Sequence, residues 1–464
     1  MKMYNVNSEE FDMDELVKHL LSLLGEKKYG DIRKTIVEIP PQDLAELIEL
    51  LPKEVRLVLF RLLGKELAAE TFVEMSAALQ RELTMDFKDS ELSGLLSEMY
   101  LDDMVDIIEE MPAVVVKRIL RQAKPEDRAL INQLLKYPKS SAGSVMTVEY
   151  VRLRENMTAG AALKHIKDVA IDKETIYTCY VTDRDRHLIG VVTVKDLLLA
   201  DEDAELSGIM DTNVISVHTG DEREEVALLL DKYDFLAMPV VDSENRLVGI
   251  ITIDDAIDVL TEESEADFAM MAAITPTETP YLKTSVLSIW LARIPWLLLL
   301  MISSTFSSTI LSGFESALPA VLILFVPMLM GTSGNAGGQS SVTVTRGISL
   351  MEISFGDLWR VMLKEITIGA MCGLSLGVCA FLKVILIDRL LTGNEAVTVQ
   401  VALSVAIAIT VSVIVSKLIG AALPILTKKI GLDPAVMASP IITTVVDAIS
   451  LILYFVVARI TLGL

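Results

Sequence analysis

The sequence predicts a multi-domain membrane protein. An α-helical superhelix leads to a tandem α/β pair, then an acidic connecting helix and a five-helix transmembrane domain. Three observations predict it. Of 464 residues, 52% are hydrophobic and mean hydropathy is +0.49, yet 23% are charged, so the chain serves two solvents. Residues 281–464 hold 11 Lys/Arg and 8 Asp/Glu, a balance of +3, whereas the preceding 280 hold 30 and 56, a balance of −26. Two internal repeats lie in that acidic part, at offsets of 60 and 59 residues.

Residues 1–137 read as short amphipathic helices. Asp43-Leu44-Ala45-Glu46-Leu47 through Pro52 is echoed by Asp103-Met104-Val105-Asp106-Ile107 through Pro112, each a helix with a Pro-marked stop. Repeated helix pairs that bury their faces on neighbours make a superhelix. Met1–Asp14 has no basic segment followed by an apolar run, so the sequence predicts no signal peptide and a cytoplasmic soluble part. A balance of −26 disfavours nucleic acid as a partner, and makes the part either merely solvated or a collector of cations.

Tyr137–Ser144 is a linker by composition, and 138–262 form the second repeat. Tyr180-Val181-Thr182-Asp183 and Leu188-Ile189-Gly190-Val191-Val192-Thr193 recur as Pro239-Val240-Val241-Asp242 and Leu247-Val248-Gly249-Ile250-Ile251-Thr252. Each copy is two β-branched strands around a polar turn, with a helix opening at Asp196 or Asp255. Its Thr-x-x-Asp is shaped for capping and for a ribose hydroxyl. The pattern resembles tandem CBS modules, which in many proteins bind adenosine nucleotides. A connecting helix follows within 254–284. Asp255, Asp258 and Glu262 sit at i, i+3, i+7 with Glu265 close by, so like charges share one face that a divalent cation would relieve.

From Lys283 the chain turns hydrophobic, and 285–464 hold five spans: 286–312, 317–344, 359–387, 397–425 and 435–462. Each is long enough for a bilayer core of about 30 Å. With the N-terminus inside, the cytoplasmic connections carry Arg346, Arg360, Lys364, Lys428 and Lys429, and the C-terminus falls outside, in a cell (inner) membrane. Trp290, Trp296 and Trp359 sit near the inner boundary. Gly369, Gly373 and Gly377 repeat at i+4 as a face for close helix packing. Cys179, Cys372 and Cys379 have neither disulfide nor zinc spacing, and all four histidines precede the membrane part.

The chemistry lies in two of these spans. The second contains Gly331-Thr332-Ser333-Gly334-Asn335-Ala336-Gly337-Gly338-Gln339-Ser340-Ser341, which suits close backbone approach or a water-lined surface. In the fifth, Ser439, Thr443 and Asp447 fall at i, i+4, i+8 and share a polar helix face. A charged Asp at mid-bilayer costs about 2.5–3.5 kcal/mol on insertion scales and marks an ion or substrate path. The donors are hard oxygens without thiolate or imidazole, which disfavours zinc and copper. Mg²⁺ keeps several waters and needs one or two carboxylates, whereas Ca²⁺ wants six to eight direct oxygens. A twofold dimer would bring two copies of Asp447 together on an axis.

The order of these parts, with the Gly334–Gln339 and Asp433–Asp447 stretches, resembles the MgtE family of magnesium channels over essentially the whole chain. The resemblance implies a homodimer that imports Mg²⁺, with the pore between the second and fifth spans. It implies Asp447 as the selectivity carboxylate, with Asn335, Thr443 and Ser439 nearby; Ser439 stands where some members have Asn. It implies a connecting plug helix and closure by cytosolic Mg²⁺. The matching acidic positions are Asp102, Asp106, Glu222, Glu224, Asp234, Asp255, Asp258, Glu263 and Asp267, with Asp433 at the cytoplasmic mouth. Tyr180, Lys195 and Asp196 match the family's ATP site.

Three other readings compete. A carrier coupled to protons or Na⁺ would use Asp447 or Glu365, the latter expected at an interfacial position near the inner end of its span. An enzyme or ATP-driven pump lacks a G-x-x-x-x-G-K-[ST] loop and an H-E-x-x-H motif in this sequence. A non-transporting nucleotide sensor leaves the polar second and fifth spans unexplained.

Overall fold

The computed structural model describes residues 13–277, 281–282, 284–315, 319–437 and 440–463. The chain forms two compact units, Met1–Leu260 and Thr261–Leu464.

The first unit opens with ten helices between Met13 and Leu134. The echoed segments become the helices Pro41–Leu50 and Leu101–Glu110, each followed two residues on by a proline that starts the next turn. Phe60, Phe72 and Phe87 pack with centroids 5.3–6.1 Å apart. The guanidinium of Arg118 donates to the carbonyls of Thr84 and Phe87, closing the end of the helix Ala77–Asp86. The apolar core runs from Leu20 without a break into Met146, Val240 and Val259.

Two three-stranded sheets follow, with the same topology. β1 (Tyr150–Arg154) lies parallel to β2 (Thr175–Thr182), which is antiparallel to β3 (Leu188–Thr193). β4 (Val217–His218), β5 (Ala237–Val241) and β6 (Leu247–Thr252) repeat that order. The two polar turns dock on each other: Leu188 N donates to Asn245 O and Leu247 N to Arg186 O. The repeated glycine of each copy is explained by close approach. A Cβ on Gly190 would stand 2.5 Å from Met210 Sδ, and one on Gly249 would stand 2.8 Å from Thr147 O. The connecting helix, Ile253–Met271, is shorter than the expected 254–284 segment. Ala273 takes a φ of 57°, and Pro276 lies just beyond it, so the helix cannot continue.

Five helices of the second unit are long and apolar enough to cross a membrane: Val286–Phe314, Ala320–Ser349, Phe355–Leu391, Val399–Lys429 and Ile441–Leu462. The second begins as a 3₁₀ helix over Ala320–Phe325, and the third ends as a π-helix over Val384–Leu391. Helix is described over Pro434–Met437 and over Pro440–Leu462, on either side of residues 438–439. Ser439 lies outside the described residues.

The third and fourth spans meet along the glycine face. A Cβ on Gly369 would stand 3.1 Å from Ile414 Cα, on Gly373 2.7 Å from Thr410 O, and on Gly377 2.9 Å from Ala406 O. Overpacking such a seam costs about 1–3 kcal/mol. Gly373→Ala is therefore expected to lower the melting temperature of the detergent-purified protein by several degrees, whereas Gly338→Ala, which meets no atom within 4 Å, leaves it unchanged.

Candidate ion path and acidic cluster

The second and fifth spans border a groove of about 720 Å³. Gly334, Asn335, Gly338 and Gln339 line it from one side, Thr443 and Asp447 from the other. Thr443 and Asp447 are one helical turn apart, so both present oxygen to the same space. A Cβ on Gly334 would stand 3.6 Å from Asp447 Oδ1 and 3.4 Å from Thr443 Cγ2, in ordinary contact with both. Oδ1 of Asp447 is buried and has no hydrogen-bond partner among the described residues. A buried unpaired acceptor is unfavourable, more so when charged. A groove with room for water, oxygen donors and an uncompensated carboxylate fits a hydrated hard cation.

The end of the connecting helix collects further charge within the second unit. Asp267 accepts a hydrogen bond from Ser349 Oγ at 3.0 Å, at the last residue of the second span. Burial raises the Asp267 carboxyl above its ordinary range, and Asp433 and Glu263 raise it further. Asp433 Oδ1 accepts from Ala435 N at 2.8 Å and so caps the helix Pro434–Met437. Three expected residues, Glu263, Asp267 and Asp433, thus share one electrostatic neighbourhood.

A second cluster lies wholly within the first unit. Asp102 and Asp103 open the helix Leu101–Glu110, and Asp254 and Asp255 open Ile253–Met271. Glu149 precedes β1 and Glu174 precedes β2. Glu149 Oε2 accepts from Leu101 N at 3.0 Å, and Asp255 Oδ2 from Thr252 Oγ1 at 2.5 Å. Burial and then the charges of Asp102, Asp106, Asp255 and Glu149 push the Asp103 carboxyl up to about 8. Burial, with Asp102 and Asp103 next, takes Glu174 to about 8. Burial takes Glu149 and Asp255 to about 7, with Asp102 adding to each. Asp102 is raised by burial and Asp254, and Asp258 likewise. Among the causes acting on these groups, Lys173 is the cation, and it lowers Glu149 alone.

The structure therefore unites Asp102, Asp106 and Asp255, and adds Asp103, Asp254, Glu149 and Glu174, which sequence reasoning missed. The helix Arg223–Tyr233 carries the other expected ligands: Glu222 before it, Glu224 in its first turn and Asp234 at its left-handed end with φ 55°. The charges that lift Asp103 do not come from that helix.

The expected nucleotide contacts need a correction. Tyr180 is fully buried, edge-on to Tyr150, with its hydroxyl unpartnered among the described residues. The ring is therefore closed to solvent and offers no side-chain surface to ATP. Lys195 and Asp196 are exposed at the start of the helix Val194–Leu199. Asp196 Oδ2 accepts from Thr193 N and Oγ1, as the Thr-x-x-Asp pattern predicts. Asp183, Asp185 and His187 bring ligand atoms together in the β2–β3 turn. Asp183 there accepts from Asp185 N and His187 N, so the group closes a turn.

Glu365 lies in the third span, near its N-terminal end. It is 8% exposed, inside the bundle, and accepts from Ser340 Oγ at 2.6 Å.

The family model for the MgtE divalent cation transporter matches residues 326–457, that for the MgtE intracellular N domain matches 39–140, and that for the CBS domain matches 142–203 and 206–262. The magnesium transporter MgtE of Thermus thermophilus is 36% identical over 455 residues, covering 97% of this chain and 99% of the relative. That of Bacillus subtilis is 32% identical over 451 residues, covering 96% and 97%. The crystal structure of the cytosolic domain of the Mg²⁺ channel MgtE in complex with ATP is 38% identical with a TM-score of 0.50, covering 52% of this chain and 99% of that one. The soluble part of a magnesium transporter is 32% identical with a TM-score of 0.51, covering 55% and 100%. With relatives 36% and 32% identical over almost its whole length, the chain belongs to the MgtE family of magnesium transporters.

Proposed function

We propose that the protein is a Mg²⁺-selective channel that admits Mg²⁺ to the cytoplasm and closes when cytosolic Mg²⁺ is high. The observation that carries the channel reading is the unpartnered Oδ1 of Asp447 in a water-sized groove beside Asn335. Six waters at roughly 30 Å³ each are well within about 720 Å³, so a hydrated ion has room. The groove carries a single carboxylate and is open, which supports a homodimer in which a second copy supplies a second carboxylate and the opposite wall. Placing the acidic unit in the cytoplasm puts Arg346, Lys428 and Lys429 on the same side, and the C-terminus outside. A carrier that uses Glu365 as its coupling group is disfavoured, because Glu365 is buried and does not line the groove.

The gate reading rests on the two acidic clusters. Like charges held together oppose the compact arrangement, and a divalent cation between them favours it. A ligand shifts such an equilibrium by its differential affinity for the two states. We assign Asp102, Asp106, Asp255 and Asp258 to one group of sites, with Glu149 and Glu174 beside them. Glu263, Asp267 and Asp433 form the other, and Glu222, Glu224 and Asp234 are further ligands in the closed state. The similarity to an ATP-bound cytosolic domain supports ATP binding at the CBS pair, with Lys195 and Asp196 as its contacts; Tyr180 does not fit that role.

Asp447→Asn, which removes the charge and keeps the shape, is expected to lower Mg²⁺ uptake into proteoliposomes at least tenfold, an effect of about 1.4 kcal/mol or more. Unchanged uptake would sink the pore assignment. The gate predicts a pH dependence. Carboxyls raised in the folded state favour compaction below their ordinary value near 4, and lose that contribution as pH rises through about 7 to 8. In excess chelator the melting temperature of the soluble part should thus fall between pH 6 and pH 8. Millimolar Mg²⁺ should restore it at pH 8 and do little at pH 6. Glu174→Gln should raise the chelator value and shrink the Mg²⁺ increment, and a Mg²⁺ response equal at both pH values would count against the cluster.

A further inference from the structure

Three polar side chains from three spans meet inside the bundle, off the groove. Ser340 Oγ of the second span donates to Glu365 Oε2 of the third at 2.6 Å and accepts from Lys417 Nζ of the fourth at 3.2 Å. Ser340 is 2% exposed, Lys417 5% and Glu365 8%. Neither charged group has a direct ion-pair partner among the described residues, so the hydroxyl links the two charges. An ionisable residue inside a membrane bundle is expensive to bury and is a functional candidate by default.

The position of this link along the second span gives it a use. At 100° per residue, Gly338 and Ser340 lie about 200° apart, so the groove face and the Ser340 face are nearly opposite. On the Ser340 side the second and fourth spans touch backbone to backbone. A Cβ on Gly420 would stand 2.2 Å from Gly337 O, and one on Gly337 3.2 Å from Ser416 O. Gly337 precedes Ser340 by three residues and Gly420 follows Lys417 by three, so the steric contact and the charge link are adjacent along one seam. A backbone contact alone leaves a helix free to turn about its axis, and a hydrogen bond on each side of Ser340 removes that freedom.

We propose that Glu365 and Lys417, acting through Ser340, are positioning residues that fix the rotation of the second span and hence the placement of Asn335 opposite Asp447. The inference rests on the groove being the ion path. A binding constellation tolerates about 0.5 Å of misplacement. Mg²⁺ demands near-ideal octahedral geometry while Ca²⁺ accepts irregular sites, so discrimination between the two is the property that a rotated helix loses first.

The test uses the full-length protein in proteoliposomes, with Mg²⁺ and Ca²⁺ uptake measured separately. Ser340→Ala keeps both charges and removes only the linking hydroxyl. It should lower the Mg²⁺-to-Ca²⁺ uptake ratio at least about fivefold, with the melting temperature within a few degrees of wild type. Glu365→Gln and Lys417→Gln each leave one buried charge alone and should lower the ratio at least as far. The double variant Glu365→Gln/Lys417→Gln restores an acceptor and a donor around Ser340 without net charge, and should return the ratio to within about twofold of wild type. A ratio unmoved in Ser340→Ala, or a double variant no better than the worse single one, would overturn the proposal. Wild-type protein that carries no Mg²⁺ would instead overturn the channel reading, before any variant is compared.

Discussion

A carboxylate oxygen held in an apolar bundle without a hydrogen-bond donor is the constraint on which the transmembrane unit depends. Such a group is tolerated only where something else supplies positive charge. Its surroundings follow from that need. Gly334 faces it at a distance where an added Cβ would stand 3.6 Å from Oδ1. Gly337 and Gly420 let the second span approach the fourth closely enough to be held from behind. The stack of Gly369, Gly373 and Gly377 locks the third span to that same fourth helix. Small residues in these spans therefore do two jobs: on the groove side they leave room, and on the seams they remove it.

The soluble unit meets the same constraint in water. Asp102, Asp103, Glu149, Glu174 and Asp255 are drawn together by folding, and the packing that brings them together also strips their hydration. In the proposed gate, protons and divalent cations compete for this one set of oxygens, and the compact arrangement is conditional on one of them being present. The apolar core that joins the helical superhelix to the second CBS repeat supplies the opposing force. A sensor needs that balance: attraction that does not depend on the ion, and repulsion that does.

Much of this was legible in the sequence, for reasons that can be named. The echo of Asp43–Pro52 in Asp103–Pro112, the doubled strand–turn–strand pattern and the five apolar runs are local signals, and local signals set helix and strand. Asp447 stood out because one charge in an apolar run has few explanations. Glu149 and Glu174 did not, because they join Asp102 only through tertiary packing. The ring of Tyr180 was hard to place because the end of its strand, Cys179–Thr182, is buried on both faces and gives no alternation to tell an inward ring from an outward one. Lys417 was visible as a lone cation deep in the fourth span and was passed over, although it carried the same kind of signal as Asp447.

The contrast between the paired and the unpaired carboxylates is the deeper regularity. Glu91 has a resident cation: Arg61 grips it with two hydrogen bonds of 2.9 and 3.0 Å and holds its carboxyl below the usual range. Glu365 has one at a remove, Lys417 through Ser340. Both acids are thereby spent on structure. Asp447 and the Asp102–Glu174 cluster lack that arrangement: Asp447 Oδ1 has no donor among the described residues, and of the cluster Lys173 relieves Glu149 alone. A permanent counter-ion would stabilise these sites and also close them to exchange. Leaving them undercompensated suits the proposed pore and sensor, since both depend on a mobile cation. In the membrane unit the two kinds of acid flank the second span from opposite sides. In the proposed channel, the fixed pair at Ser340 holds that helix still while ions pass Asp447.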